Sequence, residues 1–242
     1  MRMGKNSLYV LDLKEDQVHE DDAVFELALA LSGPGVTFSG TPSEGKLELK
    51  AAINFAKNHY PIFSVKMFHP LKIRLIITGN EVYKGLIKDK FKAIVEEKTT
   101  ALGATLEEAV ILPDNKEMIS QQIRQYLEKD TDLIIITTGG MSVDPDDVTK
   151  AGIEDSGFAE IHYSAAILPG AMFLMGYHKN TAIMGLPACG LYHKTTIFDL
   201  ILPRIMAGEK PGQRDLARLS HGGLCLNCKP CRFPACPFGK SG

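Results

Sequence analysis

The sequence predicts an α/β protein: a three-layer, doubly wound, mostly parallel sheet over residues 71–208. A small α/β segment, residues 1–70, precedes it and a Cys-rich metal-binding tail, residues 209–242, follows. Three observations carry this. Leu71–Ile77, Leu106–Leu112 and Leu133–Ile136 read as strands, the last an unbroken apolar run as a buried strand is. They alternate with segments of helical spacing, at lengths that suit parallel crossovers. Two of the runs end in clusters of Thr, Gly, Asn and carboxylates, which belong at the carboxyl edge of such a sheet.

Taken in order, Leu8–Leu11 reads as a strand. Glu20–Leu31 reads as a helix, with Val24, Leu27, Ala28 and Leu31 on one face and a stop at Gly33-Pro34. A second helix is expected over Ala51–Lys57 and a strand near Ile62–Met67. These first 70 residues read as a structural or dimerising element. The Leu71 strand follows, then a helix over Lys88–Leu102 with Phe91, Ile94 and Val95 inward and Gly103 as its stop. After the Leu106 strand, Asp114 with Glu117 resembles a capping box that opens a helix carrying Ile119, Ile123 and Tyr126. The Leu133 strand leads through the 137–149 loop to a short helix ending near Gly157. Glu160–Leu168 is extended, and Phe173–Tyr177 with Thr181–Met184 reads as a hairpin adding one antiparallel edge strand. A helix from Gly190 to Ala207 closes the domain, bent or shortened by Pro203.

Composition narrows the function classes. Of the 242 residues 45% are hydrophobic and 23% charged, ordinary for a globular chain with a sizeable core. The formal net charge of -2 argues against nucleic acid or a membrane surface as partner. The apolar patch from Ala165 to Gly176 is broken by Pro169 and Gly170 and is too short to span a bilayer. No apolar run follows Met1–Asn6, so no signal peptide is expected. Four of the five cysteines cluster in the tail, a pattern that fits a reducing compartment and a metal better than disulfides. The expected location is cytoplasmic.

Three loops should meet at the carboxyl edge: Thr78-Gly79-Asn80-Glu81 with Gly85 and Asp89, the stretch Thr137–Thr149, and Gly185-Leu186-Pro187. Gly backbones and the hydroxyls of Thr78, Thr138 and Ser142 suit a phosphate. The carboxylates Glu81, Asp89, Asp146 and Asp147 can accept paired N–H groups or hold Mg²⁺. The same residues also suit plain structural roles: Thr-Thr-Gly-Gly as a turn, Asp147 and Asp114 as helix caps, Glu81 as a solvated loop charge. The sequence has no nucleophile elbow, Walker loop or dinucleotide fingerprint.

Together these motifs resemble the molybdopterin-binding domain superfamily from about Leu71 to Ala207. Thr78-Gly79-Asn80-Glu81 is similar to the Thr-Gly-Asp-Glu turn of molybdopterin molybdotransferases. Thr137-Thr138-Gly139-Gly140 with Asp147-Val148-Thr149 resembles the signature of molybdopterin adenylyltransferases, and Pro145-Asp146-Asp147 resembles competence-damage proteins. Leu168-Pro169-Gly170 and Gly185-Leu186-Pro187 are similar to molybdotransferase turns. The resemblance implies an α/β domain in molybdenum-cofactor biosynthesis that takes molybdopterin or adenylylated molybdopterin. It would promote molybdate insertion with release of AMP, assisted by Mg²⁺. By position, Thr78, Gly79, Asn80, Thr138, Gly139, Gly140, Ser142, Asp146, Gly185 and Pro187 would bind the pterin and its phosphate. Asp147, Asp89 and Glu81 would be catalytic. Asn80 stands where the family carries Asp, and Pro145 where the loop's first Asp falls. A non-catalytic cofactor binder or sensor, and a nucleotide-cleaving enzyme like the competence-damage proteins, therefore stay open as alternatives. Relatives of this kind form homo-oligomers.

The tail carries Cys225, Cys228, Cys231 and Cys236 with the spacing Cys-x2-Cys-x2-Cys-x4-Cys. Four thiolates on so short a loop can converge on one centre, an iron–sulfur cluster or Zn²⁺. Cys189 reads as a buried small residue.

Overall fold

The computed structural model describes residues 20–31, 36–38, 41, 49–51, 65–138 and 148–240. The chain divides into two compact units, Met1–Val65 and Lys66–Gly242. In the first, α1 (Glu20–Leu31) is the helix that the spacing predicts. β1 (Val36–Phe38) pairs antiparallel with β2 (Leu49–Ala51). Ala51 pairs with Val36 and so closes a strand instead of opening a helix. The rest of that expected helix and the expected strand at 8–11 lie outside the described residues. The described part of the strand expected near 62–67, residues 65–67, is irregular.

The second unit holds a six-stranded sheet in the order β4-β3-β5-β8-β7-β6. Its strands are β3 (Lys72–Thr78), β4 (Thr105–Leu112), β5 (Leu133–Thr138), β6 (Ala159–Tyr163), β7 (Leu174–His178) and β8 (Thr181–Pro187). β4, β3, β5 and β8 run parallel. β7 is antiparallel to β8, and β6 to β7, so the hairpin strand is interior and Ala159–Tyr163 supplies the edge. Two strands extend the parallel core where one was expected. Lys179 makes the hairpin turn tight with φ 54°.

The period of two along each strand divides the apolar residues between two faces. Ile73, Leu75 and Ile77 of β3 meet Val95 of α3 (Phe91–Thr100) and Phe198, Ile201 and Leu202 of α6 (Ile197–Met206). Ile76, Ile134 and Ile136 meet Ile119, Ile123 and Tyr126 of α4 (Lys116–Glu128) and Ile153 of α5 (Val148–Asp155). Burying each such side chain contributes roughly 1.5–3 kcal/mol before entropy is set against it. The result is the expected three layers, helices on both faces of one sheet. Arg74, on the α4 side, stays buried because it donates to the Asp130 carbonyl at 3.0 Å, to Thr131 and to Glu107 at 2.6 Å. Two further helices are short, α2 (Asn80–Tyr83) and α7 (Gln213–Leu219).

Two helix starts differ from expectation. Asn115, not Asp114, caps α4, accepting from the Met118 N–H at 2.8 Å. The expected helix from Gly190 is a 3-10 turn, Ala188–Leu191, then a break, then α6. Thr196 and Asp199 form a capping box there: the Phe198 N–H donates to the Thr196 hydroxyl at 3.2 Å, and the Thr196 N–H to the Asp199 carboxylate at 2.8 Å. That box fixes the helix start at Ile197, seven residues later than the Gly190 that apolar spacing alone gives.

The tail packs within the second unit. Leu224 bridges Leu168 in parallel, with Leu168 N donating to Gly223 O at 2.7 Å and Cys225 N to Leu168 O at 2.8 Å. Phe238, 2% exposed, joins the core on the α6 side.

Candidate functional site

The strand ends build the site. Thr78, Thr138 and Pro187 lie side by side in register where β3, β5 and β8 stop together. The chain leaves β3 through Gly79 at φ 149°, a conformation that favours Gly, and its N–H donates to Leu112 O at 3.2 Å. α2 follows at once. Asp114 lies across from it: the Asn80 N–H donates to the Asp114 carboxylate at 3.0 Å, and Asp114 N to Asn80 Oδ1 at 3.4 Å. Asp114 thus ties down the first turn after β3 instead of capping its own helix.

Beside β3 a cavity of about 420 Å³ opens, a size that suits a small-molecule ligand. Thr78, Gly79, Glu81 and Asp89 all line it, so four residues singled out from sequence are brought to one place. The Thr78 side chain is buried, its hydroxyl 3.5 Å from that of Thr149 at the start of α5. Glu81 is exposed. The Asp89 carboxylate accepts from Phe91 N at 2.8 Å and Lys92 N at 3.1 Å, so it holds the start of α3. Asn80 is exposed and does not line the cavity.

Three further lining residues carry chemistry that the motif reading passed over. Lys88 and Lys90 flank Asp89 and add positive charge. Tyr192, 81% exposed, adds an aromatic face at the rim. The Lys-Asp-Lys run was visible in the sequence. Tyr192 was hidden because apolar spacing placed it inside a helix.

A second cavity, of about 400 Å³ and largely apolar, sits at the end of β8, with Pro187, Cys189 and His193 on its wall. Pro169 and Gly170 line its other side. Gly185 is buried within β8, paired with Ile136 and Leu174, and lines neither cavity. Burial raises the Cys189 thiol pKa above its ordinary value. At the end of β5 the Thr137 hydroxyl is fully buried without a hydrogen-bond partner among the described residues. A buried polar group left so at a strand end suits a site that a polar ligand completes. Gly139, Gly140, Ser142, Asp146 and Asp147 lie outside the described residues, and of Thr138 only the strand pairing is described.

Among the described residues neither expected metal site is assembled. Among the described residues no group of three or more His, Cys, Asp or Glu is set to hold a metal ion. The Asp89 oxygens are engaged by amides, and Glu81 is the other carboxylate among the described residues that line this cavity. In the tail, Cys225, Cys228, Cys231 and Cys236 all line one small cavity, yet their thiols are not drawn to a common point. The Thr195 hydroxyl, 3.5 Å from the Cys231 sulfur, and the Phe233 amide hold the Cys231 thiol pKa below its usual value. Among the described residues no helix is long and apolar enough to cross a membrane.

Comparison with known proteins is concordant. Residues 74–207 match the family described as "Probable molybdopterin binding domain". A molybdopterin molybdenumtransferase of Haemophilus influenzae is 30% identical over 159 residues, 62% of this chain and 38% of that protein. A CinA-like protein of Leptospira interrogans is 31% identical over 86 residues, 34% of this chain and 20% of that protein. The chain thus spans well under half the length of either relative. A solved structure titled as a molybdopterin biosynthesis MoeA protein of Pyrococcus horikosii aligns with TM-score 0.48 and 24% identity, over 57% of this chain and 35% of that one.

Proposed function

This chain belongs to the molybdopterin-binding domain family, and from that membership we propose that it binds molybdopterin, or its adenylylated form, at the carboxyl edge of the central sheet. The observation that carries the reading is the cavity beside β3. It joins the hydroxyl of Thr78, the cations Lys88 and Lys90, and the exposed ring of Tyr192. A pterin phosphate asks for the first two, and a flat heterocycle for the third. The orphaned Thr137 hydroxyl supports a polar ligand at the same edge. Thr138, Gly139, Gly140 and Ser142 would complete the phosphate cradle with Asp146, while Asn80, Gly185 and Pro187, which do not line this cavity, would support it from the turn after β3 and from β8.

The finer proposal is a cytoplasmic, molybdotransferase-like enzyme of molybdenum-cofactor biosynthesis. Asp147 would be its main acidic group, with Glu81 and Asp89 beside it, acting on adenylylated molybdopterin and molybdate. Mg²⁺ enters only through Asp146 and Asp147 with Glu81, and no step is derived through it. The homo-oligomer implied by the family resemblance belongs to this reading. So does a tail that holds a thiophilic metal, an iron–sulfur cluster or Zn²⁺. The 30% identical Haemophilus protein is named a molybdopterin molybdenumtransferase, which supports this chemistry.

A specific observation favours a second reading, a cofactor binder without turnover. Two of the acidic-turn positions serve the fold: Asn80 pairs with Asp114, and Asp89 holds α3. One assay separates the two. With adenylylated molybdopterin and molybdate, the enzyme reading expects AMP release that Asp147→Ala abolishes while the protein stays folded. Tight pterin binding with no AMP release supports the binder. Turnover unchanged in Asp147→Ala removes Asp147 from the account.

A further inference from the structure

We propose that the chain carries a second ligand site, at the end of the sheet away from the carboxyl edge, where Lys179, Lys210, His162 and Glu160 bind hydrogen phosphate. The site is separate from the pterin reading and does not rest on it. Strand direction sets its place. β8 runs from Thr181 to Pro187 and delivers Pro187 to the carboxyl edge. β7 is antiparallel to β8 and β6 to β7, so His178 and Ala159 lie at the other end. The seven residues of β8 span the gap, roughly 20 Å at ~3.3 Å per residue.

A polar cavity opens there, lined by Glu160 and His162 of β6, Tyr177 of β7, Lys179 of the hairpin turn, and Lys210 from the segment before α7. The Lys210 ammonium donates to the Lys179 carbonyl at 3.2 Å and lies 6.0 Å from the centre of the Tyr177 ring. The Tyr177 hydroxyl donates to Pro211 O at 2.9 Å and so ties this segment to β7. Two ammonium groups are thus gathered at one cavity, and among the described residues neither is within ion-pair distance of a carboxylate. Acids are close in sequence but already taken: Glu209, the residue before Lys210, by Lys66 and Arg204, and Asp215 by Arg204. Glu160 lines the same cavity and pairs with neither lysine. It sits at φ 54° where the β6–β7 register breaks between Ala159 and His162. Bulges of this kind at a sheet edge re-aim side chains.

The donor set selects the ligand. Like charges held together without a counter-charge repel until an anion joins them. Two ammonium groups, each a compact charge with three turning N–H donors, ask for a small dianion with oxygens on several sides. The Glu160 carboxylate adds a condition. It accepts hydrogen bonds and donates none, so it repels an anion that has no hydrogen to offer. Hydrogen phosphate meets both demands: its bare oxygens accept from the lysines, and its one P–O–H donates to Glu160. Sulfate brings the charge without the proton. The His162 imidazole, with one donor and one acceptor nitrogen when neutral, can serve either end of the ligand.

The test is calorimetric titration of the full chain with inorganic phosphate, in phosphate-free buffer at pH 8 and without pterin. The account expects saturable binding that Lys179→Ala with Lys210→Ala weakens at least tenfold and that Lys88→Ala with Lys90→Ala leaves in place. Sulfate, and methyl phosphate, which as an ester is fully ionised at pH 8, should bind at least tenfold more weakly than phosphate. Glu160→Gln should shrink that preference to less than threefold by letting sulfate in. The melting temperature of the ligand-free protein should not fall in the Lys179→Ala, Lys210→Ala variant. No binding, or equal affinity in that variant and the parent chain, overturns the site. Binding lost only in Lys88→Ala with Lys90→Ala places the phosphate at the carboxyl edge and overturns it too. Sulfate bound as tightly as phosphate overturns the choice of hydrogen phosphate. A clear fall in the ligand-free melting temperature assigns the two lysines to the fold instead. None of these outcomes bears on whether the pterin binds, so that reading stands or falls separately.

Discussion

At the scale of single residues, Asn80 and Asp114 show how a motif position can serve the fold. Each accepts the other's backbone N–H, at 3.0 and 3.4 Å. An aspartate at position 80 would set a second carboxylate beside Asp114. Asn80→Asp should therefore lower stability at neutral pH by no more than about 1 kcal/mol. The loss should vanish below about pH 4, where carboxylates are protonated. Thermal melts across pH check this; a loss that persists at pH 3 would contradict the charge argument. Tyr192 makes the opposite case, a residue whose exposure, 81%, serves no packing. Tyr192→Ala should leave the melting temperature unchanged and weaken pterin binding about twofold to twelvefold, the ~0.5–1.5 kcal/mol of an aromatic stack. Asp89 is legible in sequence as an acidic candidate, but its bonds to Phe91 and Lys92 are not, because capping partners depend on where the helix begins.

At the scale of elements, the strand readings located β3, β4 and β5 within a residue or two; β5 is the unbroken apolar run that burial on both faces asks for, whereas β4 is an edge strand and carries Glu107 and Glu108. Helix starts were less legible. Polar side chains decide them, and Asn115 and Thr196 compete with near neighbours for that role. The turn at Gly170 is fixed by steric demand: at φ 121°, any Cβ would run into the Ile197 side chain at the start of α6. Gly170→Ala should destabilise the domain by about 2–4 kcal/mol, seen as a clearly lower melting temperature; an unchanged one would contradict this packing. The end of α6 supplies a pH dependence. Lys66 donates to Glu209 at 2.9 Å, Arg204 donates to Glu209 at 2.7 Å and to Asp215 at 2.9 Å, and both carboxyls have lowered pKa values in the fold. Asp215 also accepts from the Gly212 N–H at 3.0 Å. A lowered pKa in the folded state means that the stabilisation is present above the unfolded carboxylate pKa and is lost as pH falls through the folded one. Both groups are partly exposed, so together they contribute no more than about 1 kcal/mol. Arg204→Met should flatten the acid limb of a stability–pH curve between about pH 5 and 2; an unchanged limb would assign that slope to other groups.

At the scale of the molecule, the three layers exist to bring strand ends together. Thr78, Thr138 and Pro187 come from sequence positions 60 and 49 residues apart and finish in one row. That row was predictable because parallel strands with crossover helices must end on the same side. What sequence could not supply is the division of the edge into two cavities. The 3-10 turn at Ala188–Leu191 makes that division, with Cys189 and His193 on one side and Leu191 and Tyr192 on the other. The same turn was hidden inside an expected helix. The central claim is that the cavity beside β3 receives a pterin phosphate. Its most direct test is calorimetric titration of molybdopterin, under anaerobic conditions, into the chain and into a Lys88→Ala, Lys90→Ala double variant. The account predicts saturable binding near one per chain, weakened at least tenfold in the double variant, with the melting temperature of the apo protein unchanged. Equal affinity in both proteins, or no binding to the parent chain, would contradict it.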